Sequence, residues 1–171
     1  MRTPGLAEEV RLRAAAVIVR ERRILLSRSV SDPFWALPGG RIDSGELSRR
    51  ALVRELREEL GAARLGIGRL MFVVENRFAF GRRRFQEIGF VYEVDLATGP
   101  GFAEEGEFAS AEPDLRLRWV ELSDLPGLDL RPHLLRDRLV SGAPPTVEHL
   151  EVDELSSSGP DDGPLVARRA R

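Results

Sequence analysis

Residues 40–62 read GRIDSGELSRRALVRELREELGA, and their spacing decides the fold. Leu52, Leu56 and Leu60 recur every fourth residue and Ala51 widens the stripe, which predicts an amphipathic helix over about residues 47–60. Gly61 supplies the stop, because glycine enters left-handed backbone without a Cβ penalty. Beside the apolar stripe, Glu55, Glu58 and Glu59 stand at i, i+3 and i+4, so these carboxylates share one helix face. Like charges at that spacing cost roughly a few tenths of a kcal/mol per pair, and a divalent cation between them reverses the sign. Hard oxygen ligands on a rigid helix suit Mg²⁺ or Mn²⁺. The Arg54 guanidinium forks onto a carboxylate, and Glu46 is the partner expected to pin the preceding loop to the helix.

Strand patterns flank this helix. Residues 12–20 and 23–29 are apolar, β-branched runs around a short turn at Glu21-Arg22. Phe34–Leu37 reads as a short strand, and Pro38-Gly39-Gly40 as the tight loop that ends it. Residues 67–79 and 84–96 form a long hairpin around residues 80–83, followed by the longest loop at 97–114. A strand at 115–122, a second helix at 132–140 and a last strand at 146–152 complete the pattern. From Ser156 onward the chain is small, polar and charged, and is expected to be a mobile tail. Residues 1–155 therefore make one mixed α/β domain and residues 156–171 a tail.

Composition narrows the chemistry. The 171 residues contain no cysteine, which excludes disulfide scaffolds, thiol catalysis and iron–sulfur clusters. Every basic residue is arginine, so a Schiff-base lysine and a phosphate-loop lysine are excluded as well. His133 and His149 are too few for a histidine-rich metal site and read as structural. A net charge of −2 without a basic stripe argues against a nucleic-acid partner. No apolar run approaches the ~20 residues that span a bilayer. The N-terminus lacks the apolar core of a secretory signal, which makes a cytoplasmic location the expectation.

A charged helix face such as RELREEL is ordinarily a solvated surface. The addition of Gly40, Glu46 and Gly61 at fixed intervals changes that reading, since seven such positions coincide by chance about once in 10⁵ chains of this length. The stretch resembles the signature of the Nudix (MutT-like) hydrolases, Gly-x5-Glu-x7-Arg-Glu-U-x-Glu-Glu-x-Gly-U with U a bulky aliphatic. Leu56 fits the first U, Ala62 departs from the last, and Trp35-Ala36-Leu37-Pro38-Gly39 is similar to the family's lead-in.

The resemblance implies a Nudix fold, a mixed β-sheet sandwiched between helices with a loop–helix–loop catalytic element. It implies hydrolysis of a nucleoside diphosphate linked to another moiety, with Mg²⁺ and Mn²⁺ as its substitute. Glu58 and Glu59 would be the principal metal ligands, completed by Glu55 and the Gly40 carbonyl, while Glu46 and Arg54 hold the element together. The general base stays open between a helix glutamate and one of Glu104, Glu105, Glu107 and Glu112. A (deoxy)nucleoside triphosphate is favoured over a nucleotide sugar or ADP-ribose. A non-catalytic nucleotide sensor is disfavoured because every signature glutamate is kept. A homodimer is compatible with the family.

Candidate substrate contacts are Arg28 for a phosphate, and Trp35 and Phe78 for stacking on a base, each with a plain packing or surface reading beside it. Phe34, Phe80 and Phe85 carry the same pair of readings. Glu87 lies in an otherwise apolar run and faces either solvent or the site.

Overall fold

The computed structural model describes residues 8–61, 64–98 and 106–155. The expected tail 156–171, Ala62 and the loop glutamates Glu104 and Glu105 lie outside these residues. Strand β1 (Glu8–Val17) leads through the two-residue β2 (Val19–Arg20) to β3 (Arg23–Ser29). Glu21 and Arg22 between them both have positive φ, 49° and 66°, as a tight two-residue hairpin turn requires. β4 (Gly39–Arg41) precedes helix α1 (Ser48–Leu60). The long hairpin β5 (Arg64–Phe80) and β6 (Arg83–Thr98) comes next, then β7 (Glu107–Ala109) and β8 (Leu115–Glu121). A 3₁₀ turn at Leu122–Gly127, helix α2 (His133–Val140) and β9 (Glu148–Asp153) close the described chain.

The strands form two sheets. One is mixed, in the order β4-β1-β6-β5-β9, with β1 parallel to β6 and β5 parallel to β9. The other, β2-β3-β8-β7, is antiparallel. Alternation along β1 explains the layering. Ala14 and Ala16 belong to the core that holds Leu52, Leu56 and Leu60 of α1, whereas Ala15 and Val17 belong to a second core with Leu135 and Leu139 of α2. Helices thus cover both faces of the mixed sheet. Leu52 and Leu56 are fully buried, and truncating either to alanine would cost about 2–5 kcal/mol.

Several boundaries differ from the pattern read in the sequence. Phe34–Leu37 is not a strand: it makes isolated bridges, Ser27 with Ala36 and Trp35 with Leu130. The strand lies one step later, where Gly39 and Gly40 pair with Ala15 and Ala14 of β1. A Cβ on Gly39 would stand 2.2 Å from the Ala14 carbonyl oxygen, and its φ is +132°, so only glycine fits there. β1 begins earlier than expected, at Glu8, and the 97–114 loop contains β7. No described helix is long and apolar enough to cross a membrane.

Candidate active site

The loop between β4 and α1 is tied down by one guanidinium. Arg54 donates from Nε to Glu46 Oε1 at 3.1 Å and from Nη2 to Glu46 Oε2 at 2.8 Å. The same Nη2 reaches the Arg41 carbonyl at 3.0 Å, and Nη1 reaches Glu55 Oε1 at 2.6 Å. Glu46 also accepts from the Asp43 backbone N–H at 3.2 Å, which closes the loop on itself. Hydrogen bonding from Arg54 holds the Glu46 carboxyl below its usual range, and Glu46 in turn pushes the Arg54 guanidinium up. Both ends of the loop are therefore fixed relative to the helix.

The carboxylates beyond this clamp are crowded. Glu55 lies against the Cα of Gly40, where a Cβ would stand 2.2 Å from its carboxyl carbon. Glu59 is only 4% exposed and accepts the Gly39 backbone N–H on both oxygens, each at 3.3 Å. Burial pushes its carboxyl up to about 8, against the pull of the Arg13 charge and the Gly39 hydrogen bond, and with a further push from Glu112 and Glu55. Glu112 is raised as well, by burial first and then by Glu55 and Glu58. Glu58 is the open member, with a side chain 47% exposed and its carboxylate 3.6 Å from Arg54.

Glu112 enters from the other sheet. The carbonyl of Glu59, at the end of α1, accepts the Ala111 backbone N–H at 2.9 Å and the Ser110 hydroxyl at 2.7 Å. Ser110 Oγ accepts the Glu112 N–H at 3.1 Å, so the turn between β7 and β8 is fastened to the helix terminus. Of the two loop glutamates among the described residues, Glu107 and Glu112, the structure brings Glu112 to the carboxylate face. Glu107 instead pairs with Arg28 at 2.8 Å.

Among the described residues no group of three His, Cys, Asp or Glu side chains is arranged as a finished cation site. Arg54 draws Glu55 aside, Gly39 holds Glu59, and Glu58 turns outward. The donor set nevertheless fits a hard divalent ion. The charges of Glu55 and Glu112 raise Glu59, those of Glu55 and Glu58 raise Glu112, and a cation among these carboxylates would relieve both that repulsion and the burial of Glu59. The glycine at position 40 leaves the approach to Glu55 clear on the strand side.

Beside Glu59 opens a cavity of about 380 Å³, floored by the mixed sheet. Arg28 lines it, donating to Asp32 O at 3.2 Å as well as to Glu107. Phe78 lines it too and stacks on Phe85 with centroids 5.3 Å apart. Trp35 does not line it: its ring is buried at 6% exposure in the core beneath Arg28, which corrects its assignment as a base-stacking residue. Phe34 and Phe80 stand at the mouth, edge to face at 6.3 Å, with Arg131 over the Phe34 ring at 4.7 Å. Glu87 faces the cavity.

Sequence reading missed Arg11 and Arg13, both on the cavity face of β1. Arg13 donates to the carbonyls of Leu37 and Gly39 at 3.0 and 2.9 Å, bracing the strand that carries Gly40. Their signal was the alternation Arg11, Arg13, Ala15, which put charges on an inward face once β1 is extended back to Glu8.

A family model described as the NUDIX domain matches residues 10–141 of this chain. The chain belongs to the Nudix family. It is 30% identical over 115 residues to a putative 8-oxo-dGTP diphosphatase of Bacillus subtilis, covering 64% of this chain and 65% of that protein. A shorter stretch of 51 residues is 49% identical to the CTP pyrophosphohydrolase of Escherichia coli, covering 28% of this chain and 38% of that one. The chain thus spans less than two thirds of the length of these curated relatives. Its fold is similar to the crystal structure of a MutT Nudix hydrolase from Burkholderia pseudomallei, with a TM-score of 0.52, 32% identity, and coverage of 69% of this chain and 88% of that one.

Proposed function

We propose that this Nudix chain is a divalent-metal-dependent pyrophosphohydrolase that cleaves a phosphoanhydride bond of a nucleotide. The observation that carries the reading is the crowding of Glu55, Glu58, Glu59 and Glu112, of which Glu59 lines a cavity that is also lined by Phe34, Phe78 and Phe80. Mg²⁺, with Mn²⁺ as substitute, would be held by Glu55, Glu58, Glu59 and the Gly40 carbonyl, and would supply charge neutralisation on the phosphates and acidification of a water. Glu46 and Arg54 hold these ligands in register. Glu112 accepts the proton of the attacking water at its carboxylate, a role for which a raised affinity suits a general base. Arg28 and Arg13 place positive charge along the path of the phosphates.

A volume near the lower end for ligand pockets suits one nucleoside, and the chain is read as acting on (deoxy)nucleoside triphosphates ahead of nucleotide sugars or ADP-ribose. The names of the relatives, an 8-oxo-dGTP diphosphatase and a CTP pyrophosphohydrolase, support a nucleotide substrate of this kind. The test is a panel of nucleoside triphosphates, oxidised nucleotides, nucleotide sugars and ADP-ribose in Mg²⁺, with products resolved by chromatography and Glu58→Gln run alongside. Turnover lost in the variant supports the assignment. Equal turnover in both proteins removes the metal-ligand role of Glu58, and binding without product in either metal points to a sensor.

A further inference from the structure

The last turn of α1 is closed by a distant part of the chain. Gly61 has a φ of 71°, but its ψ of −177° is far from the left-handed helical pair of angles with which a helix closes its own carbonyls. The Glu59 carbonyl instead accepts the Ser110 hydroxyl at 2.7 Å and the Ala111 N–H at 2.9 Å. Ser110 Oγ in turn accepts the Glu112 N–H at 3.1 Å. One oxygen thus donates to the backbone of Glu59 and accepts from the backbone of Glu112. A serine or threonine hydroxyl can do both at a single atom this close to the main chain.

The same turn has anchors that do not involve this hydroxyl. Phe108, two residues before Ser110, is buried in the core that holds Leu52, Leu56 and Leu60 of α1. β7 also keeps its ladder with β8, in which Glu107 faces Arg118 and Ala109 faces Arg116. Removing the Ser110 hydroxyl leaves both in place, along with the Ala111 bond to Glu59. What it frees is the Glu112 N–H, because the other closure of the turn runs through the Glu112 carbonyl, which accepts the Leu115 N–H at 3.2 Å. The hydroxyl is therefore coupled weakly to the fold and directly to the place of one carboxylate. That carboxylate feels the charges of Glu55 and Glu58 on α1, although its backbone belongs to the other sheet.

We propose that Ser110 is a positioning residue that ties Glu112 to the last turn of α1, a role that rests on the reading of Glu112 as the base and Glu59 as a ligand given above. With the clasp, Glu112 keeps its place relative to Glu59; without it, Glu112 follows the turn between β7 and β8. A base must stand within about 2.6–3.2 Å of the proton that it takes, and a misplacement of about 1 Å can cost about 10²-fold in rate. Ser110 is not among the residues that line the cavity. Its loss should therefore be felt in kcat and not in KM.

The test is steady-state kinetics in Mg²⁺ on the panel above, with CTP and 8-oxo-dGTP as reference substrates. Ser110→Ala should lower kcat by about 10- to 100-fold and leave KM within about twofold. Ser110→Cys keeps the side-chain shape with a thiol that bonds only weakly, and should show the same split even if the alanine variant folds poorly. Ser110→Thr keeps the hydroxyl and should recover kcat to within about threefold of the native chain. In a Glu112→Gln background, Ser110→Ala should cost no more than about a further twofold, because a clasp that acts through that carboxylate has nothing left to place. Amide hydrogen exchange at Glu112 should quicken in Ser110→Ala while the amides of α1 keep their protection. Unchanged kcat in both Ser110→Ala and Ser110→Cys, or losses that multiply in the double variant, would overturn the proposal. Glu112→Gln as active as the native chain would overturn it too and leave the metal-dependent reading standing. A native chain that hydrolyses nothing in the panel would defeat the catalytic reading and the proposal with it.

Discussion

Raising the pH should weaken the metal-free fold, and a divalent ion should restore it. The perturbation is at Glu59, whose burial lifts its carboxyl from 4.5 to about 8. An unfolded chain releases that proton near the ordinary value, whereas the folded chain keeps it until about pH 8. Over the interval between them the unfolded state binds fewer protons, so stability falls as pH rises and levels off above the folded value. At about 1.4 kcal/mol per unit, the full span amounts to about 5 kcal/mol, of which about 3 kcal/mol falls between pH 5.5 and 8.5. Glu112 is raised too and adds in the same direction. For a chain of this size each kcal/mol moves Tm by about 2–4 °C, which gives a drop of roughly 6–12 °C. The assay is thermal denaturation in EDTA across that range, for the native chain and Glu59→Gln, with and without Mg²⁺. The variant should lose most of the slope, because its neutral amide sits in the same place at every pH. Mg²⁺ should raise Tm more at the high end, where no proton competes for the carboxylate. Parallel profiles for the two proteins would refute the reasoning, whatever the effect of the metal.

Gly40→Ala should leave Tm nearly unchanged but lower kcat by about tenfold or more, because the atoms nearest its Cβ are those of the movable carboxyl end of Glu55; Gly39→Ala, which meets the backbone of β1 at positive φ, should instead fail to fold or melt far lower, and equal melting of the two would contradict this. Arg54→Lys should lose about 10²-fold in kcat/KM, since an ammonium cannot hold Glu46, Glu55 and the Arg41 carbonyl at once; near-normal kinetics would show that the clamp is dispensable. Glu112→Gln should lower kcat by about 10²- to 10⁴-fold and flatten the acid limb of the pH–rate profile, and a loss below about fivefold would return the base to the helix glutamates.

The helix and its clamp were legible because each depends on local spacing. The four-residue recurrence of leucine fixes which face of α1 is buried, and the interval between Glu46 and Arg54 fixes the loop that they close. What lay beyond the sequence was set by pairing between distant segments. Gly39 and Gly40 look like a loop by composition, yet their missing Cβ atoms let them lie against Ala15 and Ala14 as an edge strand. Trp35 looks like a stacking residue by type, but the bridge to Leu130 turns it into the core. Glu112 could not be told from Glu107 until Ser110 and Ala111 fastened their turn to the end of α1. Glu87 was ambiguous for the same reason: the face of a strand is decided by its register with neighbours, and only the pairing with Arg11 and Asn76 assigns it.

The arrangement also separates chemistry from recognition. The carboxylates sit on α1 and on the turn that it fastens, while Arg11, Asn76, Glu87 and the phenylalanines of the cavity sit on β1, β5, β6 and the loop before Trp35. Gly39 is where the two meet. Its N–H holds Glu59, and its carbonyl accepts from Arg13, which stands on β1 one row from Arg11. The cavity side chains on these strands can therefore change without disturbing the carboxylates, so long as Arg13 and Gly39 keep their bond. This gives a physical reason why similar proteins carry names with different bases, 8-oxo-dGTP in one and CTP in another. A box held by its own ion pairs tolerates any floor that presents the correct complement to its base.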